Sequence, residues 1–369
     1  MSEISFDNLC DILKLLPAKS LLRFRCLSKA YCSLIDSRDF INLHLSQSNN
    51  TNLNGSLILF ESNFLYIHIA YMVDLDSPKH HVAKCDHPLF NSCLIFGSCN
   101  GLIALYHSQE GMFLWNPSTR KHRKICCQMR SHSNYLLDGF GYDPVSDDYK
   151  VVRIRGLVGH GRKRSSGMVY SVKHNSSRRI KEFPYKCNKH RDCGTLVGSC
   201  LHWIGSEPDD SDKLIVAFNL EDERCRALPI PGGFQNHRYW ELKLAEVGGC
   251  LTLTVNISDY VEIWAMKEYG KKESWIRISS IHNRSLRPIG YSKTGDKLLL
   301  YGHNGCLWEY DLQEEDQTSQ VSQNHFSNFN QPPPNVSDKR FRRIKYLGFD
   351  VFCCYSSVNC VKSLVSVHV

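Results

Sequence analysis

The chain has 369 residues, a net charge of +8 and an apolar fraction ordinary for a globular protein. That length holds one large domain, or a small module with a large one, and no apolar run approaches the ~20 residues of a membrane span, so membrane insertion is not expected. The charge is spread along the chain instead of gathered into one stripe, which argues against a nucleic-acid partner.

The opening MSEISFDNL has no basic region leading into a hydrophobic core, so no secretory signal is expected. The 17 cysteines are odd in number and loosely spaced, unlike a small disulfide scaffold. They read as reduced thiols acting as small hydrophobes, which places the chain in the cytoplasm or nucleus.

The first predicted helix carries Leu9, Ile12, Leu13 and Leu16 on one stripe, with Asp7 placed to cap it and Pro17 to stop it. A second short helix is expected over 18–26, and Ser28 caps a third that carries Tyr31, Leu34 and Ile35 on one side. Three helices in about 35 residues bury too little area to be stable alone, so their surplus apolar surface must meet a partner or a neighbouring domain. A continuous membrane-surface helix is excluded by the break at Pro17.

These residues resemble a known family. The stretch LPAKSLLRFRCLSKAYCSLIDSRDF, within a match from Ile4 to about Phe40, resembles the F-box, the helical motif by which substrate receptors dock on the Skp-type adaptor of cullin–RING ubiquitin ligases. Ile4-Ser5 stands where the family usually opens with Leu-Pro, and Tyr31 stands where a Trp is common. The resemblance implies adaptor binding through Leu9, Ile12, Leu13, Leu16, Pro17, Leu21, Leu22, Leu27, Leu34 and Ile35.

The helical module is expected over residues 1–45, followed by a polar linker over 46–56. From 57 to 369, short apolar strands bounded by Gly, Asn, Asp and Pro replace the helical period. Strand endings align as YMVDLDS, FLWNPST, MVYSVKH, VAFNLED, EIWAMKE and WEYDLQE. Their equivalent residues are Val73, Trp115, Tyr170, Phe218, Trp264 and Tyr310, at intervals of 42, 55, 48, 46 and 46 residues. A second element recurs upstream as GSCNGLIAL, GSCLHWIG and GGCLTLTVN; its small residues predict close backbone approach, and Asn100-Gly101 predicts a tight hairpin turn. Repeats of this length predict a β-propeller of about six degenerate blades in a mainly β chain; a pair of β-sandwiches would not repeat in this register. SLVSVHV at the C-terminus reads as the strand that closes the ring, and the polar stretch 313–339 as a disordered insertion in the last blade.

WNPSTR, GFGYDPVSDDYKVVRI, LHWIG, FNLEDERCRALPIP and IWAMKEYGKKESW, in that order, resemble the F-box-associated, kelch-like domain of plant F-box proteins. The resemblance implies a non-catalytic receptor that joins a Skp-type adaptor, and through it cullin and RING subunits, to a protein target. A subgroup sharing LPAKSL, LSKAY and VDLDS is linked to restraint of immune-receptor levels, which the resemblance offers as a lead to that target.

Chemistry-bearing patterns are sparse. Cys187, His190 and Cys193 form C-x2-H-x2-C with Cys200 and His202 nearby, yet the paired knuckles of a structural zinc site are missing. His80, His81, Cys85 and His87 read as a solvated loop. His190-Arg191-Asp192 mimics a kinase catalytic loop without its downstream Asn or a glycine-rich phosphate loop, and no G-x-S-x-G, P-loop or HExxH motif is present. Trp115, Trp264 and Trp308 read as blade packing, and Asp143-Pro144 with Asp147-Asp148 as a turn. No catalytic residue, metal or cofactor is therefore assigned. Two other readings stand beside the receptor: an enzyme or small-molecule binder on the propeller, and a scaffold whose helices no longer bind the adaptor. Target contacts are expected in loops of one face, with 156–166 and 232–238 as candidates.

Overall fold

The computed structural model describes residues 6–50, 55–63, 66–75, 82–85, 93–107, 109–125, 135–155, 165–187, 192–207, 212–232, 234, 241–257, 260–281, 286–292, 294–302, 307–312, 341–344 and 354–369. Four helices come first: α1 (Phe6–Leu13), α2 (Ala18–Phe24), α3 (Lys29–Asp36) and α4 (Arg38–Asn50). The expected count was three. Residues 46–50 of the polar stretch continue α4, and the first strand begins at Gly55, so the connection between helices and strands is shorter than 46–56. Asp7 lies in the first turn of α1, where its charge still favours the helix dipole.

Six sheets follow. Blade I holds β1 (Gly55–Asn63), β2 (Tyr66–Asp74) and β3 (Val82–Cys85). Blade II holds β4 (Cys93–Cys99), β5 (Leu102–His107), β6 (Gly111–Asn116) and β7 (Lys121–Ile125). Blade III holds β8 (Tyr135–Asp143), β9 (Asp148–Arg155), β10 (Ser165–Ser171) and β11 (Ser176–Phe183). Three short pieces lead into blade IV: β12 (Lys186–Cys187), β13 (Asp192–Cys193) and β14 (Thr195–Val197). Blade IV itself is β15 (Cys200–Ser206), β16 (Lys213–Asn219) and β17 (Cys225–Leu228), with β12 and β14 both on β15, while β13 adds in parallel to β8. Blade V is β18 (Glu241–Val247), β19 (Cys250–Ile257), β20 (Tyr260–Met266) and β21 (Trp275–Ile281). Blade VI is β22 (Leu286–Tyr291), β23 (Lys297–Gly302), β24 (Leu307–Asp311) and β25 (Phe341–Ile344). The last strand, β26 (Cys354–Val361), pairs antiparallel with β1 and completes blade I from the other end of the chain.

The ring is therefore closed, but not by SLVSVHV. Closure belongs to β26, and residues 362–369 run on outside any ladder. The stretch 313–339 lies outside the described residues.

Each pair of neighbouring blades shares one apolar cluster. In blade II, Leu102, Ala104 and Tyr106 face blade III, while Ile103 and Leu105 face blade I. In blade III, Val151 faces blade II, and Val152 and Ile154 face blade IV. Inner strands buried on both faces are near-continuous apolar runs, because a period of two sends every residue into one interface or the other. The six repeat residues all lie on the third strand of their sheets. Each faces the preceding blade: Trp115 toward I, Tyr170 toward II, Phe218 toward III, Trp264 toward IV, Tyr310 toward V and Val73 toward VI.

The second repeated element leads into the second strands β5, β15 and β19. Asn100 and Gly101 have φ of 53° and 81°, and Gly248 and Gly249 have 60° and 79°, the left-handed pair that a two-residue hairpin turn demands.

Candidate docking site on the helical module

The helices are held by one small core of Leu13, Ala18, Leu21, Leu34, Ile35 and Phe40, completed by Leu364 from the far end of the chain. Local bonds set the angles between them. Ser28 Oγ accepts from the Tyr31 N–H at 3.2 Å and starts α3. Ser37 serves both neighbours: its hydroxyl donates to Leu34 O at 2.7 Å and accepts from Phe40 N–H at 3.3 Å. Arg25 reaches Asp36 at 2.5 Å, tying α2 to α3. His44, buried on α4, donates from Nε2 to Leu16 O at 3.0 Å, so that carbonyl at the break before Pro17 has a partner. Burial holds the His44 pKa below its ordinary value, and the ring is neutral near pH 7.

The ten residues named from the sequence divide by burial. Leu13, Leu21, Leu34 and Ile35 are in the core, and Leu9, Leu16 and Leu22 are half-buried against it. Ile12, at 52% exposure, and Leu27, at 65%, stand in solvent, and Pro17 is also exposed. Leu15, at 56%, belongs with them; it sits three residues after Ile12, a spacing visible in the sequence that the stripe through Leu9, Leu13 and Leu16 obscured. The module thus has a closed interior and uncovered apolar side chains at the end of α1 and in the two connections that follow it, a cost in water unless a partner covers them.

The module is seated on blades II and III. Ile41 and Leu45 of α4 pack against the cluster shared by those blades, and Arg38 pairs with Asp147 in the β8–β9 turn. Arg38 and the Tyr142 hydroxyl, 2.6 Å away, hold the Asp147 carboxyl at a pKa of about 2. Beneath the turn, Lys150 lies 2.8 Å from Asp143 and 3.3 Å from Glu223 and donates to Leu220 O at 2.6 Å. The Asp143–Asp148 carboxylates are turn groups, as the sequence suggested, and the structure adds the ion pairs: Asp143 Oδ1 accepts from Val145 N–H and Asp148 Oδ1 from Lys173 N–H.

The metal-like pattern is described only in part. Cys187 lies on β12 in blade IV, Cys193 on β13 beside blade III, and His190 is outside the described residues. His202 has Nδ1 3.0 Å from Thr195 O and Nε2 2.6 Å from the Tyr269 hydroxyl, so the protein occupies both ring nitrogens, and burial lowers its pKa to about 4. Among the described residues, no group of three or more His, Cys, Asp or Glu is placed to hold a metal ion. Cys85 is on β3; His80, His81 and His87 are outside the described residues. Trp115, Trp264 and Trp308 fall in three different inter-blade clusters and do not converge on a ligand.

Strand direction settles which connections share a face. The turns β4–β5, β6–β7, β8–β9 and β10–β11 lie on the rim that carries the helices, since Asn100, Asn116, Asp147 and Lys173 reach the tail or the seat there. The antiparallel ladders put the β9–β10 and β15–β16 connections, and the crossings from blade to blade, at the opposite strand ends. Both 156–166 and 232–238 join strand ends on that opposite rim, although 156–164, 233 and 235–238 are outside the described residues.

Comparison with known proteins points the same way. The family model of the F-box associated beta propeller domain matches residues 57–366, and that of the F-box domain matches residues 1–43. F-box protein CPR1 of Arabidopsis thaliana is 33% identical over 350 residues, covering 85% of this chain and 83% of the relative. F-box protein At4g22390 of the same plant is 28% identical over 356 residues, covering 86% of each. Its F-box/kelch-repeat protein At3g23880 is 25% identical over 312 residues, covering 76% of this chain and 81% of the relative.

Proposed function

Since the chain belongs to the F-box proteins that carry an F-box associated propeller domain, we propose that it is the substrate-recognition subunit of a Skp–cullin–F-box ubiquitin ligase. It contributes binding, not catalysis. The helices hold a Skp-type adaptor and, through it, the cullin and RING subunits. The propeller offers a protein target on the rim away from the helices. Two sites on one rigid body raise the effective concentration of target at the ubiquitin donor, which is the whole physical contribution such a subunit needs to make.

The observation that carries this reading is the division within the module. Leu13, Leu21, Leu34 and Ile35 are spent on the fold, whereas Ile12, Leu15, Pro17 and Leu27 are apolar and uncovered. The first set shapes the contact and the second makes it, with Leu9, Leu16 and Leu22 bordering both. Replacing Leu16-Pro17 by Ala-Ala should abolish capture by purified adaptor, but Leu16 also packs in the core, so Ile12→Asp with Leu27→Asp is the cleaner test. That double variant should keep the wild-type melting temperature and lose adaptor binding by at least ~100-fold, the scale of two desolvated apolar anchors. Binding that survives the double variant unchanged would remove the docking assignment.

A further inference from the structure

The last seven residues, SLVSVHV, are extended, with Ser363, Val365 and Val367 on one side and Leu364, Ser366 and His368 on the other, and the structure uses this period of two without a ladder. Ser363, Val365 and Val367 face the propeller. The Ser363 hydroxyl donates to Asn100 O at 2.7 Å, and Val365 and Val367 join the apolar cluster shared by blades II and III. Leu364 points the other way and completes the core of the helices. Ser366 and His368 are exposed.

The propeller grips the segment's backbone. Asn116 Nδ2 donates to Ser363 O at 3.1 Å and to Val365 O at 2.8 Å, while its Oδ1 accepts from Ser118 and Thr119 N–H and caps the β6–β7 turn. Lys362 is anchored to Asp74 at 2.5 Å, and Arg123 reaches Val369 O at 3.4 Å. Gly101 lies directly beneath: a Cβ there would overlap Ser363. On the other side, Ile41 and Leu45 of α4 meet the same cluster that Val365 and Val367 fill.

From this we infer that the C-terminal segment 363–369 is a strap that locks the helical module onto the propeller. It is held by the ring through Asn116, Asn100 and two valines, and it holds the helices through Leu364. Among the described residues, the helices have one direct ion pair of their own to the ring, Arg38–Asp147, and Arg38 is largely exposed. The strap directly follows β26, so ring closure and the seating of the helices both depend on residues 354–369. For a substrate receptor, a consequence that rests on the reading above, a chain clipped near its C-terminus would still expose its adaptor contacts but would no longer fix them relative to the target rim.

Hydrogen exchange on the full-length protein tests the strap. Asn116→Asp keeps the acceptor that caps the β6–β7 turn and removes the donor to Ser363 O and Val365 O; a chain ending at Ser363 removes Leu364 and both valines. In both variants the amides of α2, α3 and α4 should exchange at least ~10-fold faster, with blades IV to VI unchanged, because local opening is governed by local contacts. Leu364→Ala should reproduce the effect on the helices alone. Helices protected as in the wild type after loss of the strap would overturn the inference. So would blades II and III loosening in step with them in Asn116→Asp, which would make the segment only part of the ring. If the shortened chain does not fold, Asn116→Asp and Leu364→Ala decide the matter. Adaptor capture by the same proteins is a separate readout: failure of the wild type to bind adaptor would remove the receptor reading and leave the strap standing.

Discussion

The ring and the helical module solve the same problem of burial in opposite ways. The ring divides its apolar side chains among six shared clusters, so every blade is buried on two faces and no single cluster carries the whole. The module has one cluster, built on helices of seven to thirteen residues that are marginal in isolation, and it borrows Leu364 to finish it. The ring is a self-sufficient scaffold, and the module is a part that depends on its seat. A docking element can afford to leave Ile12, Leu15 and Leu27 in water only because the scaffold supplies the missing stability.

Core truncations break or confirm that contrast most sharply. Trp203 is fully buried between blades III and IV, donates from Nε1 to Asp138 O at 3.2 Å and lies against Gly194. Trp203→Ala should cost about 3–5 kcal/mol and lower the main thermal transition. Leu21 is as fully buried in the module, and Leu21→Ala should cost about 2–5 kcal/mol. Its cost should appear as early melting of the helices, with the propeller's transition nearly in place. Calorimetry alongside helix-sensitive circular dichroism separates the two. If both variants shift one common transition by similar amounts, module and ring are a single cooperative unit and the contrast is wrong.

Acid acts on both regions with the same sign. His202 in the ring is held at a pKa of about 4 by burial, against an ordinary value near 6.5. As pH falls the unfolded chain takes up the proton first, so the stability from neutral His202 is complete above ~6.5, declines between ~6.5 and ~4, and is flat below. The loss across that window is of order 3 kcal/mol. His44 in the module is also lowered by burial and also destabilises its region as pH falls. Urea unfolding at pH 7 and pH 5 should show a drop that shrinks in His202→Gln, whereas His44→Gln should spare only the helices. A wild-type protein equally stable at both pH values would show that neither ring is the buried neutral group its contacts require.

Much of the ring was legible because a propeller repeats one rule. The third-strand position from Val73 to Tyr310 marked every blade, and Asn100-Gly101 announced its turn. The fourth helix was hidden because two of its inward positions, His44 and Ser48, are polar, so Phe40, Ile41 and Leu45 gave too thin a stripe against RDFINLHLSQSNN. SLVSVHV misled for the reverse reason: an extended segment between two surfaces has the same alternation as a strand. Which apolar residues of the helices stay uncovered was only half legible. Ile12 and Leu13 are adjacent and alike in hydrophobicity, and nothing in a single sequence says that one faces the core and the other solvent.

The smallest expected effect concerns the direct charge contact that the described residues show between the two regions. Arg38 opens α4 and pairs with Asp147, yet its side chain is 68% exposed, so water and salt screen the pair and little stability rests on it. Arg38→Ala should let the Asp147 pKa rise from about 2 toward the ordinary carboxylate range, partly checked by the Tyr142 hydroxyl that remains. Carboxyl titration by NMR reads that change directly. The helices should stay seated, with exchange rates in α2 to α4 close to wild type at any ionic strength. Should Arg38→Ala instead free the helices as fully as loss of the strap, the seat is electrostatic, and the module depends on a surface charge where the packing of Ile41, Leu45 and Leu364 says it depends on apolar contact.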